Sequence, residues 1–366
     1  KLSDHAALAK LTGMIDYDGL RKDQAASREK GVYRGIGFAS MIEVTRPSPA
    51  FYGVGGAPIS AQDGTTVRLD AKGNVIVSSS VTEQGQGAES MLAQIAATAV
   101  GVDMANVRII TGDTEMTPYG GGTWASRGTG IAGEATVRAG RALREQVLEV
   151  AGIMLQSDAG SLDIRAGKIV DADTGNERMD LAEVGRVVYY RGDTLPKDYQ
   201  AELVATRDYV PKGYPFAFTN GIHCCHLEVD TDTGIVKILG YWVVEDCGTV
   251  INPLLVDDQV RGGVVQGIGG ALYEECIYSP EGQLLNGNLA DYLVPMAFEM
   301  PDIEVGHVST PTADSELGAK GAGEAGTAGA PAAITNAIND ALMPLNARLT
   351  INPMTPERIL NAIGKV

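Results

Sequence analysis

Glycine in this chain comes in clusters, and the clusters dictate where its backbone can approach something closely. They stand at "EQGQG" (83–87), "YGGGTWASRGTG" (119–130), "QVRGGVVQGIGG" (259–270) and "GAKGAGEAGTAGAP" (318–331). Without a Cβ, glycine lets the backbone meet a neighbouring segment or a ligand at short range. The 46 glycines in 366 residues exceed ordinary usage, but even with the 16 prolines they stay below a low-complexity composition. The chain is long enough for two or more units with their own cores.

The formal charge of −17 opposes a general nucleic-acid binder, which needs a basic stripe. It leaves room for a small anionic cofactor, since backbone N–H groups and a few basic side chains suffice for one. No apolar run approaches a membrane span, and no signal peptide is visible. Four cysteines form no disulfide scaffold, so a reducing cytoplasm is the expected setting. The chain begins at Lys1, and an upstream portion is expected to lie elsewhere.

Residues 1–30 are polar and helix-prone. "YRGIGFASMIEVT" predicts a strand, "GTTVRLDAKGNVIVSSSVT" two strands about a tight turn, and "VRIITGD" another. "AESMLAQIAATAV" and "EATVRAGRALREQVLEVAGIML" carry helical periodicity. "HCCHLEVDTDTGIVKILGYWVVED" predicts two strands, "DDQVRGGVVQGIGGALYEE" a glycine-studded helix, and "APAAITNAINDAL" and "TPERILNAIGKV" closing helices. Strands and helices mix without regular alternation, which predicts an α+β fold. The expected division is a helical linker at 1–30, a first module at 31–215 and a second at 216–366, with the seam near 210–221.

Two motifs look more informative than they are. In "HCCH" (223–226), strand alternation puts His223 and Cys225 on one face and Cys224 and His226 on the other, so one tetrahedral centre is not available. No metal ligand is assigned. Gly321, Gly323 and Gly326 spell G-x-G-x-x-G, but the stretch before them is small and polar, not the buried strand a dinucleotide fold requires.

Other residues have the chemistry of a heterocycle and phosphate site. Gly85 and Gly87 open a helix whose first N–H groups lack partners, and the amides of Gln84 and Gln86 offer donor and acceptor together. A polar strand-to-helix turn would use the same residues. Thr123, Ser126 and Arg127 supply hydroxyls and a guanidinium to an anion cradle. Gln259 and Gln266, seven apart, share a helix face, and the glycines around them suit helix packing equally well. Glu324 stands alone among small residues; burial there would raise its pKa and suit it to general-base work. An acid favoured by the N-terminal dipole of the following helix is the other reading.

Together "EQGQG", "GTWASR", "DCGTVINPLLVDDQVRGGVVQGIGGALYEE" and "GAKGAGEAG" resemble the molybdenum hydroxylases, the family of xanthine dehydrogenase, aldehyde oxidase and carbon monoxide dehydrogenase. The resemblance runs from about residue 30 to the end and points to the carboxy-terminal half of the family's molybdopterin-binding subunit, two mixed α/β modules. It implies molybdopterin cytosine dinucleotide carrying molybdenum, with Gln84, Gly85, Gln86, Gly87, Thr123, Trp124, Ser126 and Arg127 around it. It also implies Gln259 and Gln266 on the pterin side, Lys320 on a phosphate or ribose, and Glu324 as the base. The implied reaction hydroxylates an electron-poor carbon of an N-heterocycle or aldehyde, with water as oxygen source. Electrons would leave through a 2Fe–2S subunit and an FAD subunit, because this chain lacks cluster-binding cysteine spacings. The family's upstream glycine-rich loop of G-G-F-G type is missing, and "YGVGG" (52–56) is no substitute. A second molybdopterin-binding chain, as in nicotinate-dehydrogenase-like split forms, or a longer parent chain would supply it. The alternatives are a non-catalytic scaffold half and a nicotinamide-dependent dehydrogenase.

Overall fold

The protein is described by a computed structural model over residues 2–213 and 216–366. The expected seam includes Tyr214 and Pro215, which lie outside the described residues. Helices α1 (Asp4–Met14) and α2 (Tyr17–Arg28) precede a long strand β1 (Tyr33–Thr45). Then come β2 (Asp63–Leu69), β3 (Val75–Ser79), α3 (Ala88–Val100), β4 (Val107–Ile110) and α4 (Glu134–Leu155). Three short strands follow, β5 (Leu162–Arg165), β6 (Lys168–Asp171) and β7 (Glu177–Asp180), then α5 (Leu181–Tyr190) and β8 (Val204–Tyr209). The remainder holds β9 (Ala217–Val229), β10 (Val236–Asp246), α6 (Pro253–Leu272), β11 (Ile303–His307), α7 (Ala325–Leu342) and α8 (Pro356–Ala362). Among the described residues no helix is long and apolar enough to cross a membrane.

Two compact units are built from discontinuous pieces. One comprises Lys1–Val44, Phe218–Pro311 and Gly321–Val366; the other comprises Thr45–Ala217 and Thr312–Lys320.

In the first unit the sheet runs β1-β9-β10-β11, antiparallel between β9 and β10 and parallel between β10 and β11. One face carries Cys225, Leu227, Tyr241 and Val243 into a core with α6, α7 and α8; the other carries Cys224, Ile222 and Val244 into a core with α1. Neighbours in "HCCH" thus serve opposite faces, as strand alternation requires. Fully buried Ile334, Ile338 and Leu342 anchor α7, each worth about 1.5–3 kcal/mol of apolar burial. Helices α6 and α7 touch through small residues: a Cβ at Gly326 would lie 2.1 Å from the Val260 carbonyl oxygen. α8 begins as expected, with Thr355 accepting from the Arg358 N–H and Pro356 at the first position.

In the second unit the main sheet runs β4-β3-β2-β8, and a small sheet runs β5-β6-β7. Their core gathers Val67, Leu69, Val75 and Val77 with Ala96 and Val100 of α3, Leu143 and Val147 of α4, and Leu181 and Val184 of α5.

Candidate cofactor-contacting residues and base

In the second unit, β3 leads into the 82–87 turn and then α3. Gly85 and Gly87 have φ of 95° and 81°, left-handed values that an L side chain adopts only with strain. Nothing lies within 4 Å of where a Cβ at Gly85 would stand, so the turn borders open space. Most of the turn's N–H groups, and one in the first turn of α3, are taken by an acid within the chain. Glu83, which sequence reasoning passed over, turns its carboxylate onto the N–H groups of Gly85 (2.8 Å), Glu89 (2.9 Å), Gln84 and Gly87 (both 3.1 Å). Burial works against that charge, but the backbone donors outweigh it and hold the carboxyl below its usual pKa. Gln86 is half-buried: its amide donates to the Thr82 carbonyl (3.0 Å) and accepts from the Gln84 N–H (2.6 Å). Gln84 and Gly85 are exposed.

The 119–130 loop is locked to this turn. The Thr123 hydroxyl donates to the Thr82 carbonyl and accepts from the Thr82 N–H, both at 2.9 Å. Trp124 donates its indole N–H to the Gly121 carbonyl (2.9 Å) and lies 5.2 Å from the Arg127 guanidinium carbon, centroid to Cζ. Ala125 and Ser126 both have φ of 47°, two consecutive non-glycine residues in the left-handed region, costing on the order of 1–2 kcal/mol each. A single π-helical turn over Thr129–Gly133 then feeds α4, a distortion frequent at functional sites.

Arg127 does not present an open guanidinium to this loop. It is fully buried, donating to the carbonyls of Ser60 (2.6 Å) and Gln62 (2.9 Å) and to the Asp63 carboxylate (2.7 Å). Burial pushes the Asp63 carboxyl up despite the cation beside it. Asp63 also accepts from Ser80 (2.9 Å) and from the Gly121 N–H (3.1 Å), so the pair staples the loop to β2 and β3. A Cβ at Gly121 would lie 2.1 Å from an Arg127 nitrogen, which is why glycine stands there. Lys320 is buried at the end of the 312–320 segment. That segment is tethered by buried Arg46, which donates to Thr312 (3.0 Å) and to Asp314 (2.6 Å).

In the first unit the decisive element is the collar before α7. Alternate carbonyls each accept from a side chain: Gly321 from the Thr219 hydroxyl (2.5 Å), Gly323 from the Gln259 amide (2.8 Å) and Ala325 from His223 Nε2 (3.1 Å). Since Nε2 donates, the Nδ1 atom of His223 accepts from the Tyr241 hydroxyl (2.9 Å). The ring is fully buried, and burial lowers its pKa to about 4, so it is neutral near pH 7. Glu324 occupies the N-cap position of α7, with no side-chain hydrogen bond to the first amides of the helix.

Glu324 is exposed, which corrects the expectation of a buried carboxylate. The physical reason is local: glycine and alanine have no side chains tall enough to cover a glutamate at a helix start. Gln266 is also exposed, its Oε1 accepting from Thr327 (3.1 Å), while Gln259 is half-buried against the collar it holds. Gly321, Gly323 and Gly326 lead from turns into α7, with no buried strand ahead of them in the 312–320 segment, so the G-x-G-x-x-G spacing has no dinucleotide-fold context.

Residues 10–301 match the model for the molybdopterin cofactor-binding domain. The chain is 36% identical to the nicotine 6-hydroxylase large subunit of Paenarthrobacter nicotinovorans, covering 96% of this chain and 43% of that one. It is 30% identical to the carbon monoxide dehydrogenase large chain of Hydrogenophaga pseudoflava, covering 98% and 44%. Quinoline 2-oxidoreductase from Pseudomonas putida 86 superposes with a TM-score of 0.88 at 37% identity, over 98% of this chain and 45% of that one. The chain therefore spans somewhat under half the length of these relatives. On its sequence, its fold and the order of its glycine-rich loops, it belongs to the molybdopterin cofactor-binding domain family of the xanthine dehydrogenase and carbon monoxide dehydrogenase type.

Proposed function

We propose that this chain is the half of a molybdenum hydroxylase's molybdopterin-binding subunit that carries the general base, Glu324. The supporting observation is the collar: three side chains from β9 and α6 hold the backbone on both sides of Glu324, fixing the main-chain position from which its exposed side chain extends. A base must be positioned before its pKa matters.

The residues fit a flat polar cofactor in part. The open turn at Gly85, the exposed Gln84 and the half-exposed Gln86, Thr123, Trp124 and Ser126 offer donors, acceptors and a ring edge, as a pterin and its dinucleotide require. Gln266 and Lys320 complete the set of proposed contacts. Arg127 and Glu83 would act by holding the loops, since Arg127 is paired with Asp63 and the Glu83 carboxylate is taken up by backbone N–H groups. When bound, molybdopterin cytosine dinucleotide with its molybdenum would supply the two-electron step at the substrate carbon. Glu324 would take a proton from the water that becomes the product oxygen, and Gln259 and His223 would keep its backbone from shifting as it does so.

The substrate reading is an electron-poor carbon of an N-heterocycle or aldehyde; relatives named for nicotine and quinoline favour the heterocycle. Electrons would pass to partners carrying 2Fe–2S clusters and FAD. A second molybdopterin-binding chain, or a longer parent chain, would supply the remainder of the subunit and cover Glu324. The exposure of Glu324 favours a second reading as well, a scaffold half with no base of its own. Metal and nucleotide analysis of the intact complex tests the main reading: molybdenum and cytidine monophosphate are released in equal amounts, and a complex without molybdenum overturns it.

A further inference from the structure

At the end of the first unit's sheet, one imidazole stands between two carboxylates. Glu245 on β10 and His307 on β11 are register partners, and His307 Nδ1 meets Glu245 Oε1. On the far side of the ring, Nε2 lies 2.6 Å from Oδ1 of Asp257, in the first turns of α6. A carboxylate only accepts, so both ring nitrogens must donate, and only the imidazolium carries two N–H groups. The two acids are unequal: Glu245 is fully buried, with no hydrogen-bond partner for its Oε2, while the Asp257 side chain is 30% exposed. The other charged and titratable groups nearby are engaged elsewhere. Lys10 of α1 donates to the His307 carbonyl (2.7 Å), not to the ring. Burial and the Glu245 charge push the Cys247 thiol up, so it stays protonated. Asp246 accepts from Ser3 and Thr310, Asp258 pairs with Arg261, and Glu304 accepts from Trp242.

When the imidazolium loses its proton, one acid must give up its donor. Stranding the buried Glu245 charge costs far more than returning Asp257 to water. The remaining N–H therefore stays on Nδ1, and the Nε2 lone pair then faces the Asp257 carboxylate. Asp257 stands two residues before Gln259, whose amide holds the Gly323 carbonyl beside Glu324 (2.8 Å). The Gly263 carbonyl, one turn further along α6, accepts from Thr327 of α7 (3.0 Å), so α6 is bonded to the collar and to the start of α7. We propose that His307 is a positioning residue for Glu324, a role that rests on the proposed function. Protonated, it clamps the first turns of α6 to the sheet; deprotonated, it releases them and loosens the hold of Gln259 on the collar. The hydrogen bond to Glu245, against burial and with help from Asp257, raises the His307 pKa, so the clamp is closed below about pH 6.5 and opens above it.

The test is amide hydrogen exchange read by mass spectrometry on the assembled complex from about pH 6 to 9, with kcat and KM over the same range. Wild type and Asp257→Asn are compared. An asparagine amide donates to the neutral ring or accepts from the charged one, so it satisfies Nε2 in both states. In wild type the protection factors of residues 254–262 fall about tenfold as pH rises, and kcat falls by a similar factor with KM little changed. In Asp257→Asn both steps vanish. Protection that ignores pH, or a step that survives Asp257→Asn, overturns the clamp. A protection step with no matching step in kcat overturns the positioning role. Exchange needs no turnover, so it decides the clamp even in a complex without molybdenum, the result that overturns the proposed function.

Discussion

Gln259 on α6 donates its amide to the Gly323 carbonyl at 2.8 Å, one residue ahead of Glu324. The bond ties the helix that carries both glutamines to the collar that carries the proposed base. Replacing Gln259 with Leu removes the donor and leaves that carbonyl without it, at about 1 kcal/mol. We expect kcat to fall roughly tenfold with KM little changed, because the base is displaced and not removed. Gln266→Leu is the contrast: an exposed side chain should cost under about 0.5 kcal/mol of stability, and its effect should appear in cofactor content. Steady-state kinetics and metal analysis on both variants separate the roles.

The Asp63–Arg127 pair predicts a large stability effect without a direct chemical one. Asp63→Asn strands a fully buried guanidinium, which typically costs about 3–5 kcal/mol. Against a usual total of about 5–15 kcal/mol, the second unit would be close to unfolding. Urea denaturation of the purified chain should show its midpoint falling sharply. An unchanged midpoint would mean the staple does not matter to folding.

How much of this the sequence disclosed depends on element length and on distance along the chain. α3 and α4 follow the predicted stretches to the residue, since thirteen and twenty-two residues of periodic apolar pattern leave little ambiguity. The strands β5, β6 and β7 went unread because each has only four residues, with Asp163, Lys168 and Glu177 among them. Glu83 was legible in principle, as an acid just ahead of a helix start. Two of the three donors to the collar were not, since Thr219 and His223 come from about a hundred residues away on β9. Composition placed Glu324 among small residues but could not say whether anything covers them.

His223 gives stability a particular pH dependence. Its folded pKa, lowered to about 4 by burial, lies below the unfolded value near 6.5. The unfolded chain therefore takes up the proton first as pH falls, and up to about 3 kcal/mol is lost between about pH 6.5 and 4. His307 acts in the opposite sense. Its hydrogen bond to Glu245, against the cost of burial and aided by Asp257 at 2.6 Å, raises its pKa. Its contribution is present below the unfolded value and is lost as pH rises through the folded one. Melting curves of wild type and His223→Gln across pH 4–8 should show the acid-side loss shrinking in the variant. Identical profiles would contradict the assignment.

The most direct measurement is single-turnover oxidation of substrate by the assembled complex bearing Glu324→Gln, with molybdenum content determined on the same sample. An amide is nearly isosteric with the carboxylate at the α7 N-cap but takes no proton. The rate should fall by about 10²–10⁴-fold while molybdenum stays at the wild-type level. A variant that turns over at the wild-type rate would contradict the assignment of the base, and with it the claim that this chain contributes to catalysis and not merely to scaffolding.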